Sequence, residues 1–390
     1  MNDLERFLSV VNGDTPDYIP IIGLPGAPGM SGGCLSVLHR RLVAQGMPKW
    51  VDGSVALNSS SSTEGWERYW GTTIPLRPDF TPHEPGIGFK TKRSVSNGFE
   101  TIESESGSVT RQFIDNDENY VMPDHVIYPI RDRKSWEFYR DRTTPGRPWS
   151  REKLDEYARK YDNRTKPLVV SAGGTWGSIR SSMGTELASV ILYDDPEWVQ
   201  EIMDWKRSIL RSHVFPVIER LRPEIVHTGE DICYKGGMLI SPEHWREFCA
   251  PFYTELTEFA RSCGCPVIAL DNDGNANNFV SLLDECGVNA MYPFETKAGN
   301  DLFSIRDKHP EFLLFGWLEK EVVNEGNEHM IDDEIGGKVK LLDQGRYFPN
   351  LEHGMQPTAT FDGIRRFMTI LHEITGNPEG EFSRLDRAIA

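Results

Sequence analysis

Hydrophobic positions along the chain fall into short apolar runs separated by stretches with a helical period. Val267-Ile-Ala-Leu270 is one such run and reads as a short buried strand. Two carboxylates, Asp271 and Asp273, follow it. Gly274 then permits a tight turn, and Asn275 is placed to cap a helix over residues 276–286. The same order of strand, polar loop and helix recurs on both sides. Leu168-Val-Val-Ser-Ala172 precedes Gly173-Gly-Thr-Trp-Gly177, and Glu224-Ile-Val-His-Thr228 precedes Gly229-Glu-Asp231. Asn289-Ala-Met-Tyr292 precedes Pro293-Phe-Glu295, and Phe312-Leu-Leu-Phe315 precedes Gly316-Trp317. Arg346-Tyr-Phe-Pro349 precedes Asn350-Leu-Glu-His-Gly354. Helices are expected over residues 4–11, 37–44, 135–141, 151–161, 186–193, 196–221, 242–262, 302–308, 335–342 and 361–375. Ser241 is placed to cap the one that begins at Pro242.

With Tyr18-Ile-Pro-Ile-Ile22 as a first strand, the pattern gives seven β-α steps, and an eighth strand is expected near residues 50–55. Strands that alternate with helices imply a parallel sheet. A count near eight with no dinucleotide fingerprint points to the α/β class and a (β/α)8 TIM barrel. In such barrels the functional groups sit on the loops after the strands. Those loops carry Trp176, Glu230, Asp231, Asp271, Asp273, Glu295, Trp317 and His353. Polar groups from at least four strand ends therefore converge on one mouth, which marks the chain as an enzyme.

Residues 50–130 read differently, as short alternating stretches between turns. Gly98 to Phe113 is expected to form a hairpin turning at Glu105-Ser-Gly107. This segment is an accessory β-rich insertion within a single domain spanning 1–390. The glycine-rich loop from Gly23 to Gly33 reads as a pocket wall, because its two prolines lack the backbone donors a phosphate cradle needs. Trp66, Tyr69 and Trp70 are expected in the core rather than against a substrate.

Composition narrows the function. Hydrophobic residues are 38% and charged residues 26%, the balance of a globular chain. A net charge of −17 argues against nucleic acid or an anionic membrane as partner. No apolar run approaches the ~18 residues of a membrane span. The N-terminus shows no basic stretch followed by an apolar core. Six cysteines without a C-x-x-C pair fit a reducing cytoplasm.

Among the mouth residues, Glu230, Asp273, Glu295 and His353 are hard or borderline metal donors. Carboxylates with an imidazole can hold zinc or a similar divalent cation and leave a position open. Without a metal they would line a pocket for a cationic or hydroxylated substrate. Close packing would then raise the pKa of one carboxyl and suit general acid chemistry. Asp271 is either one of this group or a helix cap.

Several blocks resemble the uroporphyrinogen decarboxylase superfamily. Asn350-Leu-Glu-His-Gly-Met-Gln-Pro357 resembles its N-L-G-H-G-x-x-P block, and Ala172-Gly-Gly-Thr-Trp176 its G-A-P-W block. Gly229-Glu-Asp-Ile-Cys-Tyr234 through Ser241-Pro-Glu243 resembles its acidic loop and S-P helix, and Leu270 to Asn275 its H-x-x-G-N turn. The likeness covers about residues 165–375 in the right order and implies a (β/α)8 barrel. The arginine block R-Q-A-G-R-Y of true decarboxylases is missing: no arginine follows the Gly23–Gly33 loop before Arg40, and Ser181 stands where a tyrosine is expected. Decarboxylation of the octa-acidic tetrapyrrole is therefore not expected.

Within the superfamily the chain looks closest to corrinoid-dependent methyltransferases of the O-demethylase type. That branch is similar in D-x-D-G-N, P-x-E and a late D/E-H, here Asp271 to Asn275, Pro293-Phe-Glu295 and Glu352-His353. The H-x-C zinc ligands of its thiol-using relatives are replaced by Asp271 and Asp273. The resemblance implies methyl transfer from a small ether-like donor to the corrinoid of a partner protein, in a chain that forms a homodimer. Asp273, Glu295 and His353 would bind the metal or act on the leaving oxygen. Glu230, Asp231 and Tyr234 would orient the substrate, with Trp176 and Trp317 packing it. The alternatives are a metal-dependent lyase or decarboxylase acting on a small acid, and a non-catalytic ligand-binding barrel.

Overall fold

Six apolar runs pair in chain order as one parallel sheet: β1 (Val169–Gly173), β2 (Ile225–Gly229), β3 (Val267–Asn272), β4 (Ala290–Pro293), β5 (Leu313–Leu318) and β6 (Tyr347–Leu351). The computed structural model describes residues 1–22, 33–55, 64–80, 91–104, 107–114, 121–142, 148–378 and 380–382. Two isolated parallel bridges continue the sheet past β1, Leu76 to Leu168 and Ile22 to Thr73. The segment Thr73–Leu76 thus lies between the first expected strand and β1. This corrects the expectation of a strand of the main sheet near residues 50–55, where Ser54–Val55 instead pairs with Cys34–Leu35 in a separate two-stranded sheet. Thr72-Thr-Ile-Pro-Leu76 has no apolar run, and Pro75 has no N–H to give to a ladder, so its sequence does not announce a strand.

Successive residues of each strand face opposite ways. Val169, Ile225, Val267, Leu313 and Phe348 share one buried cluster with Ile22. Val170, Val226, Ile268 and Leu314 pack outward beneath the helices. Val169 and Phe348, on the strands at opposite ends of the sheet, both belong to this cluster. Phe7, from the helix Asp3–Asn12, stacks on Phe348 at 5.4 Å within this inner cluster.

The long helices run nearly as expected. Residues 196–221 are continuous through a π turn at Leu210–Val214, and Ser241 caps its helix by accepting the N–H of His244 at 3.1 Å. The helix expected over residues 335–342 instead appears as Ile331–Lys338 and Lys340–Asp343. The helix after β3 starts at Phe279 rather than Ala276, and Asn275 does not cap it. The Asn275 amide donates instead to the Ala298 carbonyl, which ties the turn to the next loop.

The expected hairpin strands, Phe99–Glu103 and Val109–Phe113, pair antiparallel within a four-stranded sheet completed by Lys92–Ser96 and Asp124–Ile127. Glu105, Ser106 and residues 23–32 of the glycine-rich loop lie outside the described residues. Trp66, Tyr69 and Trp70 are buried in a core cluster with Phe361. No helix among the described residues is long and apolar enough to cross a membrane.

Candidate active site

The loops at the C-terminal ends of β2 and β3 are joined through backbone. Asn272 points away from the barrel interior, and its Oδ1 accepts the N–H groups of Ile232 (2.7 Å) and Cys233 (3.2 Å). Gly274 takes φ +82°, and a Cβ there would lie 2.7 Å from the backbone of Cys233 and Tyr234. Only glycine fits both the angle and the approach. Alternation then turns Asp271 and Asp273 inward, on either side of the structural Asn272.

Asp273 Oδ1 lies 3.5 Å from His353 Nε2, and both side chains are half-buried. The Asp273 hydrogen bond raises the His353 pKa above its ordinary value. Burial acts to raise Asp273, but the His353 hydrogen bond, with Lys320 and Arg180, outweighs it and holds that carboxyl low. Asp271 goes the other way. Burial first, then the charges of Asp273 and Asp231, push it up to about 8, against His353 and a hydrogen bond from Tyr292. Asp231, at the rim, pairs with Arg180 at 2.9 Å, and partial desolvation of its carboxyl, then the charge of Asp273, raise it too. The site thus holds two inward carboxyls on one strand end with opposite protonation tendencies.

Glu295 fastens the turn, its Oε2 accepting the Gly274 N–H at 2.8 Å. Glu230 is 2% exposed and faces the protein interior. It accepts from Thr175 N, Thr175 Oγ1, Gly177 N and the Tyr253 hydroxyl. A carboxylate at the N-terminus of the helix Trp176–Met183 satisfies its free N–H groups and favours its dipole. A Cβ on Gly177 would come 1.6 Å from the Glu230 carbonyl oxygen, so this contact explains the glycine in Thr175-Trp-Gly177.

The remaining sequence candidates separate. Trp176 is fully buried in the outer core, with Nε1 donating to Ala188 O. Trp317, at φ +67°, also packs outward, its Nε1 donating to Asn300 O at 3.1 Å beneath Lys338. Tyr234 is 54% exposed. Glu352 is buried beside Thr296 and Lys320 rather than paired with Asp273. Asp231, Asp271, Asp273 and His353 act on one another through their charges, and Glu295 acts on His353 as well.

Residues 114–374 match the family described as Uroporphyrinogen decarboxylase (URO-D). The chain belongs to this family. Among solved structures it is similar to a methyltransferase from Methanosarcina mazei, at 13% identity and a TM-score of 0.53 over 94% of this chain and 97% of that one. At that identity the likeness is one of fold. A sugar phosphate isomerase/epimerase from Parabacteroides distasonis ATCC 8503 also matches, at 12% identity and a TM-score of 0.29 over 56% of this chain and 74% of that one. No curated protein sequence matches.

Three groups facing this site in the URO-D barrel escaped the loop-based reading. His227 on β2 and Tyr292 on β4 point inward, with His227 Nε2 and the Tyr292 hydroxyl 2.7 Å apart. Arg77 lies close enough for its charge to act on both. Reading every second residue of Ile225-Val-His-Thr-Gly229 and of Ala290-Met-Tyr292 finds the first two. Arg77 follows the strand segment that the sequence hides.

Asp273, Glu295 and His353, the ligands expected for a metal, are not arranged as a metal site. Among the described residues no three His, Cys, Asp or Glu side chains are grouped to hold a metal ion. Glu295 spends an oxygen on Gly274 N while Asp273 and His353 pair with each other. The donor set does not fit a metal as arranged.

Proposed function

We propose that this chain is a methyltransferase that moves a methyl group from a small ether-like substrate to the corrinoid of a partner protein. The eight parallel segments are read as a (β/α)8 barrel closing between Ile22 and β6, with residues 50–130 as an accessory segment. Family membership and the fold likeness to a methyltransferase support the reading. A homodimer in a reducing cytoplasm belongs to the same proposal, and six free cysteines suit that compartment.

The corrinoid supplies a reduced cobalt nucleophile that accepts the methyl carbon. The C–O bonding pair stays on oxygen, so this chain's task is to neutralise that oxygen. The observation that carries the proposal is the placement of two inward carboxyls at the end of β3, Asp271 buried among like charges and Asp273 paired with His353 at 3.5 Å. Asp271, pushed up to about 8, is a neutral acid at pH 7 and donates its proton to the leaving oxygen. Asp273, held low, stays ionised and favours the charged form of His353 beside the same oxygen. Asp231 and Arg180 orient the substrate at the rim.

The test is to supply methyl ethers and a reduced corrinoid protein and to follow corrinoid methylation spectroscopically. Transfer by wild type and its loss in Asp271→Asn support the reading. Wild-type rates in both Asp271→Asn and His353→Ala would overturn it. A second reading, a lyase or decarboxylase of a small acid, is favoured by the cations Arg77, Arg180 and Lys320 that act on the mouth groups. Carbon dioxide release from a small acid without any corrinoid would establish that reading instead.

A further inference from the structure

Tyr292 is 2% exposed, and its hydroxyl is shared between two strands. On one side it lies 2.7 Å from His227 Nε2; on the other it hydrogen-bonds the Asp271 carboxyl. The register explains the geometry. Asp271 pairs across the sheet with Tyr292 on β4 and with Gly229 on β2. Gly229 has no side chain to hold Asp271 from that side, so Tyr292 provides the lateral restraint.

A buried tyrosine hydroxyl needs one partner, and His227 alone would satisfy it. The bond to Asp271 is therefore additional, and it ties the inner side of the carboxyl to the strand wall. His227 suits this role because it stays neutral: burial, then Arg77, push it down to about 3. A neutral imidazole has one nitrogen that donates and one that accepts, so it can complement the single proton of the phenol in either direction.

We propose that Tyr292, oriented by His227, is a positioning residue that fixes the Asp271 carboxyl with one oxygen against the strand wall and the other toward the mouth. The proposal rests on the reading of Asp271 as the acid of the methyl-transfer site. Its distinct content is that a buried residue behind the acid sets its aim.

The experiment uses the full chain with its corrinoid partner and compares Tyr292→Phe, His227→Gln and His227→Leu. Tyr292→Phe is expected to lower kcat about 10- to 100-fold with KM nearly unchanged, as misaimed catalytic groups do. The alkaline limb of its pH profile should also move, because Tyr292 acts on Asp271 together with Asp273, Asp231 and His353. His227→Gln, which keeps a partner for the hydroxyl, should retain most of kcat, whereas His227→Leu should not. Wild-type kcat and pH profile in Tyr292→Phe, beside a dead Asp271→Asn, would overturn the positioning role and leave the methyl-transfer reading standing. If wild type transfers no methyl group at all, crystal structures of wild type and variants decide instead. One unchanged Asp271 rotamer throughout overturns the proposal, and a freed rotamer in Tyr292→Phe and His227→Leu supports it. The two His227 variants keep the question open to measurement should Tyr292→Phe fail to fold.

Discussion

Asp273 and His353 meet at 3.5 Å from the ends of β3 and β6, bridging the mouth of the barrel. Each changes the other's proton affinity. His353 is raised, so its contribution to stability is complete below the unfolded value of about 6.5 and is lost as pH rises through the higher folded value. Asp273 is lowered, so its contribution is present above the unfolded carboxyl value of about 3.9 and is lost as pH falls through the lower folded one. The charged pair is therefore intact from roughly pH 4 to 6.5 and fades on the alkaline side as His353 deprotonates. Replacing Asp273 by Asn is expected to lower the His353 pKa, read by NMR titration of the imidazole. An unchanged titration would show that the pair does not exist in solution.

Glu230 sits in the motif of the acidic loop yet serves the fold. Glu230→Ala leaves Thr175 N, Thr175 Oγ1, Gly177 N and the Tyr253 hydroxyl without their acceptor. Each buried donor left unpaired costs about 1–3 kcal/mol. The expected outcome is a loss of stability of roughly 3 kcal/mol or more by denaturant melt. A melt equal to wild type, with binding of the methyl donor impaired, would return Glu230 to the substrate site.

The strands of the sheet were legible because fully buried parallel strands are continuous apolar runs. The segment at Thr73–Leu76 was not, since it holds its place through single bridges on either side. Loops flagged the corner where Asp271, Asp273 and His353 come together but not which side chains turn into it. Asp271, Asn272 and Asp273 look alike in sequence, and only strand alternation separates the two acids from the structural amide. Trp317 departs from its strand's alternation through a positive φ, and that angle cannot be read from Gly316-Trp317. His227 and Tyr292 were readable in principle, as inward positions of strands already identified.

Glu295 separates metal chemistry from acid–base chemistry. Its bond to Gly274 N needs only an acceptor, which an amide oxygen also provides. Glu295→Gln is thus expected to keep methyl transfer within a few-fold of wild type, and chelator-treated enzyme should stay active. Metal analysis checks this directly. About one equivalent of zinc, lost together with activity in Glu295→Gln, would restore the three-ligand site expected from sequence.

Asp271 should oppose stability and activity to each other. A carboxyl raised to about 8 in the fold contributes stability that is full below the unfolded value of about 3.9 and is lost as pH rises through 8. Above that pH the folded chain carries a buried carboxylate close to Asp273 and Asp231. Asp271→Asn removes that charge without changing shape. The variant is expected to melt higher than wild type at pH 9 and no higher at pH 4. The same substitution removes the proposed proton donor, so the proposed methyl transfer should fall by about 10²- to 10⁴-fold. Wild-type activity should decline above pH 8 as the acid ionises. A group retained at a cost to stability, whose removal abolishes turnover, is in the site for its chemistry. Equal melts at both pH values with full activity would leave Asp271 a spectator of the fold.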